Sequence, residues 1–186
     1  MKQLTGAVRA ASTSVIVLMG LLAGSAAVAA SAEEIDIKVD ATLERFKEDV
    51  GGANEFLANA KGVLVFPSVI KAGLIVGGEH GTGALRVGGK SIGYYSTTAG
   101  SIGLQAGAQS KSVVIVFLTD KALSDFQAAD GWEAGVDGNI ALAEWGAGDS
   151  ASTVSAKDPI VGFVFGNKGL MLDVSLKGSK YNKLDL

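Results

Sequence analysis

The middle of the chain is a series of strand-like segments joined by connections too short to contain helices. Apolar and β-branched residues form the runs 63–66, 73–78, 83–87, 90–96, 101–109 and 112–118. Strands joined in this way pair antiparallel, because a parallel pair needs a crossover of a dozen or more residues. The spacing therefore predicts an antiparallel sheet over this part of the chain. The run 112–118 is apolar on both faces, which predicts a central strand covered on both sides.

Three helices are predicted around this sheet. In the stretch 33–50, "EEIDIKVDATLERFKEDV", apolar residues recur at helical spacing at Ile35, Val39, Leu43, Phe46 and Val50. Two glycines end this helix, and a second short helix follows at 53–60. A third begins at Thr119 or Asp120. The predicted fold class is α+β, with a curved, mostly antiparallel sheet or an open barrel-like sheet packed by an N-terminal helical segment and one mid-chain helix.

Four further features of the strand pattern are predicted. Pro67 closes the strand 63–66, because proline cannot donate to a sheet ladder. Strands follow at 139–145 and 160–166. The stretch 169–178 alternates apolar and polar residues, which is typical of a half-buried strand.

The segment "GALRVGGKS" at 83–91 nearly spells a phosphate-binding loop, but its first glycine is one residue too early. Such a loop must also open a helix, whereas the residues that follow, "IGYYS", are strand-like. Gly88-Gly89 fits a two-residue hairpin turn instead. The turn predicts the pairs Val87–Lys90, Leu85–Ile92 and Gly83–Tyr94, with the Tyr94 ring covering the strand glycine.

The first thirty-two residues have the pattern of a secretory signal peptide. A start with Lys2 and Arg9 precedes an apolar run and then small residues. The strongly apolar part, 15–22, is shorter than the roughly 20 residues of a spanning helix, which argues against an uncleaved anchor. We expect cleavage after Ala29 or after Ala32, with residues 1–32 removed as the working boundary. Residues 33–186 would then form a single domain.

Charge and cysteine content restrict the partners. The whole chain has 16 basic and 19 acidic residues, so removal of Lys2 and Arg9 leaves 14 against 19, a net charge of −5. This balance argues against nucleic-acid binding. The chain has no cysteine, so it has no disulfide and no thiol for a lipid anchor. These features predict an exported protein, periplasmic or secreted.

Catalytic motifs are sparse. His80 is the only histidine, and the nearby sequence offers only Glu79 beside it, whereas a metal site needs three or four donors. The nucleophile elbow Gly-x-Ser-x-Gly does not occur. We expect His80 to lie in a loop, and we expect no enzyme activity, no metal and no cofactor.

Five motifs occur in a fixed order along the chain: "AKGVLVFPSVIKAGLIVGGEHGTGALRV", "GYYS", "SIGLQAGAQSKSVVIVFLT", "GVDGNIALA" and "KGLM". Together they resemble the SYLF domain family, and the likeness covers about residues 35–184. The resemblance implies a non-catalytic domain that binds phospholipid. In eukaryotic members it also implies phosphoinositide binding through a basic N-terminal helix, and in some of them actin binding. An exported protein would not meet actin, so actin binding is not expected here.

The first helix does not suit that route to lipid. Residues 33–50 hold three basic and seven acidic side chains, a balance of −4, which anionic headgroups repel. Basic residues near the glycine-rich strands are therefore the headgroup candidates: Lys61, Lys71, Arg86, Lys90 and Lys111. The predicted partner is anionic phospholipid at a membrane surface. The alternatives are a structural or interaction protein of the cell envelope without lipid binding and, third, a small outer-membrane-type β-barrel. The sequence leaves the oligomeric state open.

Overall fold

The structure, a computed structural model, describes residues 31–73, 76–102, 109–143, 157–166, 169–170 and 174–186. Its helices are α1 (Ala32–Asp49), α2 (Ala53–Asn59) and α3 (Asp120–Ala128). Its strands are β1 (Gly62–Gly73), β2 (Val76–Val87), β3 (Lys90–Ile102), β4 (Gln109–Phe117), β5 (Trp132–Glu133), β6 (Ala141–Leu142), β7 (Ile160–Gly166), β8 (Gly169–Leu170) and β9 (Lys180–Leu184). The predicted signal peptide lies outside the described residues, apart from Ser31 and Ala32.

The strands form one sheet in the order β5-β9-β3-β2-β1-β4-β7-β6, and β8 pairs with β7. Within the described strands, β6 and β7 are parallel and the other pairs are antiparallel. The sheet is curved, since Gly138 packs against Trp132 of β5 and Ile160 of β7, near opposite ends of the strand order. A methyl group on Gly138 would lie 2.7 Å from Trp132 Cζ2 and 3.6 Å from Ile160 Cδ1. The predicted α+β class with a curved, mostly antiparallel sheet is confirmed.

Both faces of the sheet are covered, because its central strands are apolar on both sides. Val63 and Val65 of β1 pack beneath α1 and α2, with Phe163 from β7. The alternate residues Leu64 and Phe66 belong to a second core. That core also contains Phe117, Leu123, Phe126, Trp132 and Tyr181. The prediction of a doubly covered central strand is confirmed for β4, whose residues 113–117 are all buried.

Helix α1 matches the predicted helix closely. Ser31 caps its start, with Oγ accepting a hydrogen bond from the Glu34 N–H at 3.2 Å. The predicted apolar stripe faces the sheet: four of its five residues are buried, and Leu43 is half-buried. Helix α3 begins after Thr119, whose Oγ1 accepts from the Ala122 N–H at 3.2 Å. None of the helices in the described ranges combines the length and the apolarity that a membrane crossing requires.

The prediction that Pro67 ends a strand is wrong. Strand β1 continues to Gly73, and its register shifts against both neighbours at the proline, between Val65 and Ser68 on the β2 side and between Phe66 and Val69 on the β4 side. A β-bulge leaves a residue unpaired, so a residue without an N–H fits there. The predicted run 73–78 is not one strand in the described residues: Gly73 ends β1, residues 74–75 lie outside the described part, and 76–78 belong to β2 together with 83–87. The run 90–96 extends without a break to Ile102.

The late strands are predicted less well. Residues 160–166 form β7 as expected, but only 141–142 of the run 139–145 are strand, and residues 144–145 lie outside the described part. In 169–178, only β8 is strand among the described residues, so the prediction is wrong for 174–178. The alternation there buries Leu176 without strand pairing. Strands β5 and β9 are absent from the prediction, because their two and five residues show little alternation.

The hairpin turn at Gly88-Gly89 is confirmed. Both glycines have positive φ, +57° and +79°, and Val87 pairs with Lys90. The next two predicted pairs are wrong by one residue, since a bulge lies between Leu85 and Arg86 and shifts the register. Leu85 pairs with Gly93, and Gly83 pairs with Tyr95. The ring of Tyr95 lies against Gly93 of its own strand, with 3.2 Å from Tyr95 Cε2 to a methyl group placed there.

Candidate functional site

The five candidate headgroup residues fall at two ends of the β1–β2–β3 hairpins. We call the end with the Gly88-Gly89 turn the turn end (residues 61–66 and 83–95) and the opposite end the far end (residues 68–73, 76–81 and 97–102). Lys61, Arg86 and Lys90 lie at the turn end, because the start of β1 pairs with the end of β2. Lys71 lies at the far end, and Lys111 of β4 pairs beside it. The structure therefore brings three of the five candidates to one region and leaves two elsewhere.

A groove of about 380 Å³ lies at the turn end, between α1, α2 and the hairpin turn. Lys61 and Arg86 line it together with Lys47 of α1, and the Gly88-Gly89 turn forms part of its wall. Lys90 follows this turn directly and is exposed. The groove thus gathers positive charge from three separate elements.

The same groove has apolar walls and two carboxylates. Leu43 of α1, Leu57 of α2 and Val63 of β1 supply the apolar side chains, and Asp40 and Glu44 supply the acids. Three basic and two acidic side chains give a local balance of +1, although α1 as a whole is acidic. Basic groups beside apolar surface can hold the headgroup and the upper acyl chain of an anionic lipid.

Arg86 is the most enclosed basic residue of the groove, with 13% of its side chain exposed. Its Nη1 donates to the Gly89 carbonyl at 3.1 Å, and its Nη2 donates to Asp40 Oδ1 at 2.7 Å and to the Asp36 carbonyl at 3.3 Å. Its Nε is buried and has no hydrogen-bond partner in the described structure. The guanidinium is therefore held in place with one of its donors unsatisfied.

Asp36 fastens α1 to the sheet next to this arginine. Its carboxylate accepts hydrogen bonds from Ser91 Oγ at 2.6 Å and from the Tyr94 hydroxyl at 3.1 Å, and it lies 3.6 Å from Arg86 Nη2. Burial and the hydrogen bond to Asp36 raise the pKa of Tyr94, which keeps the phenol protonated as the donor. These contacts fix the helix over the hairpin and so define one wall of the groove.

The two lysines of the groove differ in their availability. Lys47 Nζ pairs with Glu44 at 2.7 Å on the surface of α1. Lys61 makes no ion pair with any residue that the structure describes, and neither does Lys90. An anionic group entering the groove would therefore meet Lys61 as a free charge and Arg86 as an occupied one.

At the far end the basic residues are arranged differently. Lys111 Nζ pairs with Glu79 Oε2 at 2.7 Å, and the two side chains are only 10% and 14% exposed. Lys71 stands directly opposite Glu79 on the neighbouring strand. Both side chains of this ion pair are nearly buried, so little of Lys111 is accessible to a ligand.

Tyr181 lies beside that ion pair, around a cavity of about 10 Å³ that Glu79 and Lys111 also line. Its buried hydroxyl faces Thr97 and Ser179, which act to lower its pKa, but none of the hydrogen bonds there has ordinary geometry. Burial is the larger effect and raises the pKa of Tyr181 strongly.

A larger cavity of about 500 Å³ lies beside α3 on the other face. Its ionisable side chains are Lys121 and three aspartates, Asp125, Asp137 and Asp158. This excess of carboxylates makes it unsuited to an anionic headgroup. In the described ranges, no three His, Cys, Asp or Glu residues are placed to hold a metal ion. His80 lies in β2 and is exposed, so its predicted position in a loop is wrong.

The groove includes one basic residue that the sequence reasoning missed. In the sequence, Lys47 contributes only as one of three basic residues to the net charge of −4 of residues 33–50. Its spacing from Asp40 and Leu43, seven and four residues, places all three on one helix face, and this signal was available in the sequence.

Comparison with known protein families gives a match to part of the chain. The family profile described as Ysc84, Las17-binding protein actin regulator, matches residues 98–185. Residues 98–185 are therefore similar to the Ysc84 (SYLF) family. A search of curated proteins gave no significant match.

The Ysc84 family groups lipid-binding and actin-regulatory domains, which agrees with the resemblance seen in the sequence motifs. The matched range begins near the end of β3 and contains β4, α3 and all later strands. Lys111 lies inside it, whereas Lys61, Arg86 and the rest of the groove precede it. The resemblance of residues 35–97 to the family, and with it the single domain over 33–186, stays a prediction.

Proposed function

We propose that this protein is an exported, non-enzymatic module that binds anionic phospholipid at a membrane surface. The observation that carries the proposal is the groove at the turn end, where Lys47, Lys61 and Arg86 converge beside apolar side chains of three elements. The similarity of residues 98–185 to a family of lipid-binding and actin-regulatory domains supports the same ligand class. Actin is not a proposed partner, because an exported protein does not share its compartment.

The surface around the groove supports contact with a bilayer. Ile37 and Ile92 are among the large apolar side chains exposed to solvent. Each is the chain neighbour of a residue in the hydrogen bond between Asp36 and Ser91, 2.6 Å long, so both lie at the turn end near Arg86. Exposed apolar side chains flanking basic ones are typical of proteins that bind membranes peripherally.

Vesicle co-sedimentation tests this function. The unmodified protein should pellet with mixed vesicles of phosphatidylcholine and phosphatidylglycerol, and much less with phosphatidylcholine alone. Binding should weaken as salt rises, because exposed charges are screened within about 8 Å at physiological ionic strength. Equal pelleting with both vesicle types would contradict the electrostatic mechanism. Absence of pelleting with either would favour a structural role in the envelope.

Three variants that each remove one positive charge locate the binding surface. Lys61→Gln should weaken binding to anionic vesicles about fivefold, since one basic residue near an anionic surface contributes roughly 1 kcal/mol. Lys71→Gln tests the far end, and Lys183→Gln, on exposed β9, is the matched control for net charge. Both should bind as the unmodified protein does. An equal loss in all three variants would show that only net charge matters.

Export is part of the same proposal, and the two predicted cleavage positions differ in what they leave at the start of α1. Cleavage after Ala32 would remove Ser31, which caps α1, whereas cleavage after Ala29 keeps it. Loss of an N-cap costs about 1 kcal/mol. Intact-mass measurement of the protein from its host should give an N-terminus at Ala30 or at Glu33. Full-length protein retained in a membrane would contradict export.

A further inference from the structure

We propose that the groove is a site for a phosphate group, and that Asp40 occupies part of this site in the free protein and competes with the ligand. The inference deepens the proposed function, on which it depends only for the source of the phosphate, a lipid headgroup. The site consists of Arg86, Lys61 and Lys47, with Asp40 as the internal competitor.

The first argument is the hydrogen bonding of Arg86. The Nε–H and one N–H of Nη2 point in the same direction from a guanidinium, and together they bind two oxygens of one phosphate or carboxylate. In this protein Asp40 accepts from Nη2 through a single oxygen, and Nε is buried without a hydrogen-bond partner among the residues that the structure describes. The edge of Arg86 that is best suited to an oxyanion therefore holds an incomplete substitute for one.

The second argument is the difference in exposure between the two partners. Asp40 is 66% exposed, while Arg86 is 13% exposed. Ion pairs with an exposed partner are weak, because water solvates the carboxylate nearly as well when it is released. Asp40 can therefore turn into solvent while Arg86 stays in place, held by the carbonyls of Gly89 and Asp36.

The third argument is charge. A phosphate monoester brings nearly two negative charges and three acceptor oxygens, whereas a carboxylate brings one charge and two oxygens. In the groove it would meet Lys61, which has no ion partner among the described residues, as well as the edge of Arg86 that Asp40 leaves. A ligand with the larger charge thus gains contacts that Asp40 does not make.

Calorimetric titration with inorganic phosphate tests the competition directly. Asp40→Asn keeps the size of the side chain and removes its charge, so phosphate should bind about fivefold more tightly than to the unmodified protein. Asp125→Asn is the matched control. It removes one negative charge from an exposed ion pair on α3, with Lys121 at 2.6 Å, and should leave phosphate affinity unchanged. Equal gains in the two variants, or no gain in Asp40→Asn, would overturn the proposal.

A second variant keeps the test decisive if Asp40→Asn loosens α1. Glu44→Gln removes the ion pair that holds Lys47 on the helix surface. It should raise phosphate affinity by a smaller factor than Asp40→Asn, with an unchanged circular dichroism spectrum. If Asp40→Asn fails to fold and Glu44→Gln shows no gain, the proposal is overturned.

Vesicles separate this inference from the proposed function. Mixed vesicles of phosphatidylcholine and phosphatidic acid, which carries a phosphate monoester, should bind Asp40→Asn more tightly than Asp125→Asn. A gain in affinity for inorganic phosphate without any vesicle binding would support the groove site and contradict the lipid function. Vesicle binding that depends on Lys61 but is equal in the Asp40 and Asp125 variants would support the lipid function and overturn the competition.

Discussion

The turn end and the far end of the long hairpins each contain a basic side chain paired with a carboxylate, but the two pairs differ in burial. At the turn end Arg86 is enclosed while its partner Asp40 is 66% exposed. At the far end Lys111 and Glu79 are both nearly buried. A pair with one exposed partner can open to admit a ligand, whereas opening a pair with two buried partners leaves a charge without water. The Arg86–Asp40 pair can therefore exchange Asp40 for a ligand, whereas the Lys111–Glu79 pair stabilises the fold.

The two ends also differ in whether a helix covers the sheet. At the turn end α1 lies over β1 and β2, and Val63, Val65 and Ala84 are buried beneath it. At the far end the same face is open in the described structure: Ile70 is 51% exposed and Val76 is 74% exposed. The hydrogen-bonded ladder thus continues beyond the part of the sheet that the helix covers.

The largest expected effect is on the free energy of unfolding, and it compares one strand glycine at each end. Gly83 lies at the turn end, where an added methyl group would be 2.0 Å from the Val65 carbonyl oxygen and 2.8 Å from Phe66 Cδ1. Gly83→Ala should therefore lower the free energy of unfolding by more than about 3 kcal/mol, measured by urea denaturation. Gly100 at the far end has no atom of another described residue within 4 Å of the same position, apart from its chain neighbours. Gly100→Ala should change stability by less than about 0.5 kcal/mol. Similar losses in both would show that the two ends are packed alike.

The second expected effect concerns the buried ion pair. Lys111→Met leaves Glu79 buried without its partner, so the free energy of unfolding should fall by about 3 kcal/mol. Adding Glu79→Gln to this variant should recover most of the loss, because the uncompensated charge is then gone. Lys121→Met, in the exposed pair with Asp125, is the control and should cost less than about 1 kcal/mol. Lys111→Met that unfolds at the same urea concentration as this control would contradict a stabilising role.

The smallest expected effect is at Tyr181. Its buried hydroxyl has no hydrogen-bond partner of ordinary geometry in the part of the chain that the structure describes. Tyr181→Phe should therefore change stability at neutral pH by less than about 0.5 kcal/mol or raise it slightly. An equilibrium unfolding series across pH measures this effect. A loss of more than about 1 kcal/mol at neutral pH would mean that the hydroxyl is hydrogen-bonded.

The dependence of stability on pH in the alkaline range provides a second test of Tyr181. Burial raises the pKa of Tyr181 in the folded protein, while an unfolded tyrosine ionises near pH 10. The contribution of the protonated phenol is therefore fully present below pH 10 and declines above it, by about 1.4 kcal/mol per pH unit. Tyr181→Phe should make this decline shallower. The slope that remains should come from Tyr94 and Tyr95, whose pKa values are also raised. An unchanged slope would contradict the burial of Tyr181.

The sequence predicts those parts of the fold that local pattern determines. Helix α1 follows from its apolar spacing, and the hairpin turn follows from Gly88-Gly89. The bulges at Pro67 and next to Leu85 were not predicted, because a register shift depends on how a strand packs against both neighbours. Strand β9 also depends on its partner, since only Tyr181 among its residues is buried and its pairing with β3 supplies the rest.

The candidate site was predicted only in part, for a similar reason. Lys61 and Arg86 are brought together because antiparallel pairing places the start of β1 next to the end of β2. The availability of each charge depends on contacts between distant parts of the chain. Arg86 meets Asp40 across 46 residues, and Glu79 of β2 meets Lys111 of β4 across β1, which lies between these two strands. Counting basic residues therefore identifies candidates but does not show which of them are free.

Pro67 has a consequence for how the sheet opens. It lies in the middle of β1, at the register shift against both β2 and β4, and its carbonyl accepts a hydrogen bond from Ser112 Oγ at 2.8 Å. A ladder interrupted at one residue loses cooperativity there, so amide protons on its two sides exchange with water through separate opening events. We expect the exposed residues from Ile70 onward to open more often than Val63 to Phe66, while Val69 stays buried in the core. We therefore expect two rates of amide hydrogen exchange within one continuous strand, a slow one under α1 and a faster one beyond Pro67.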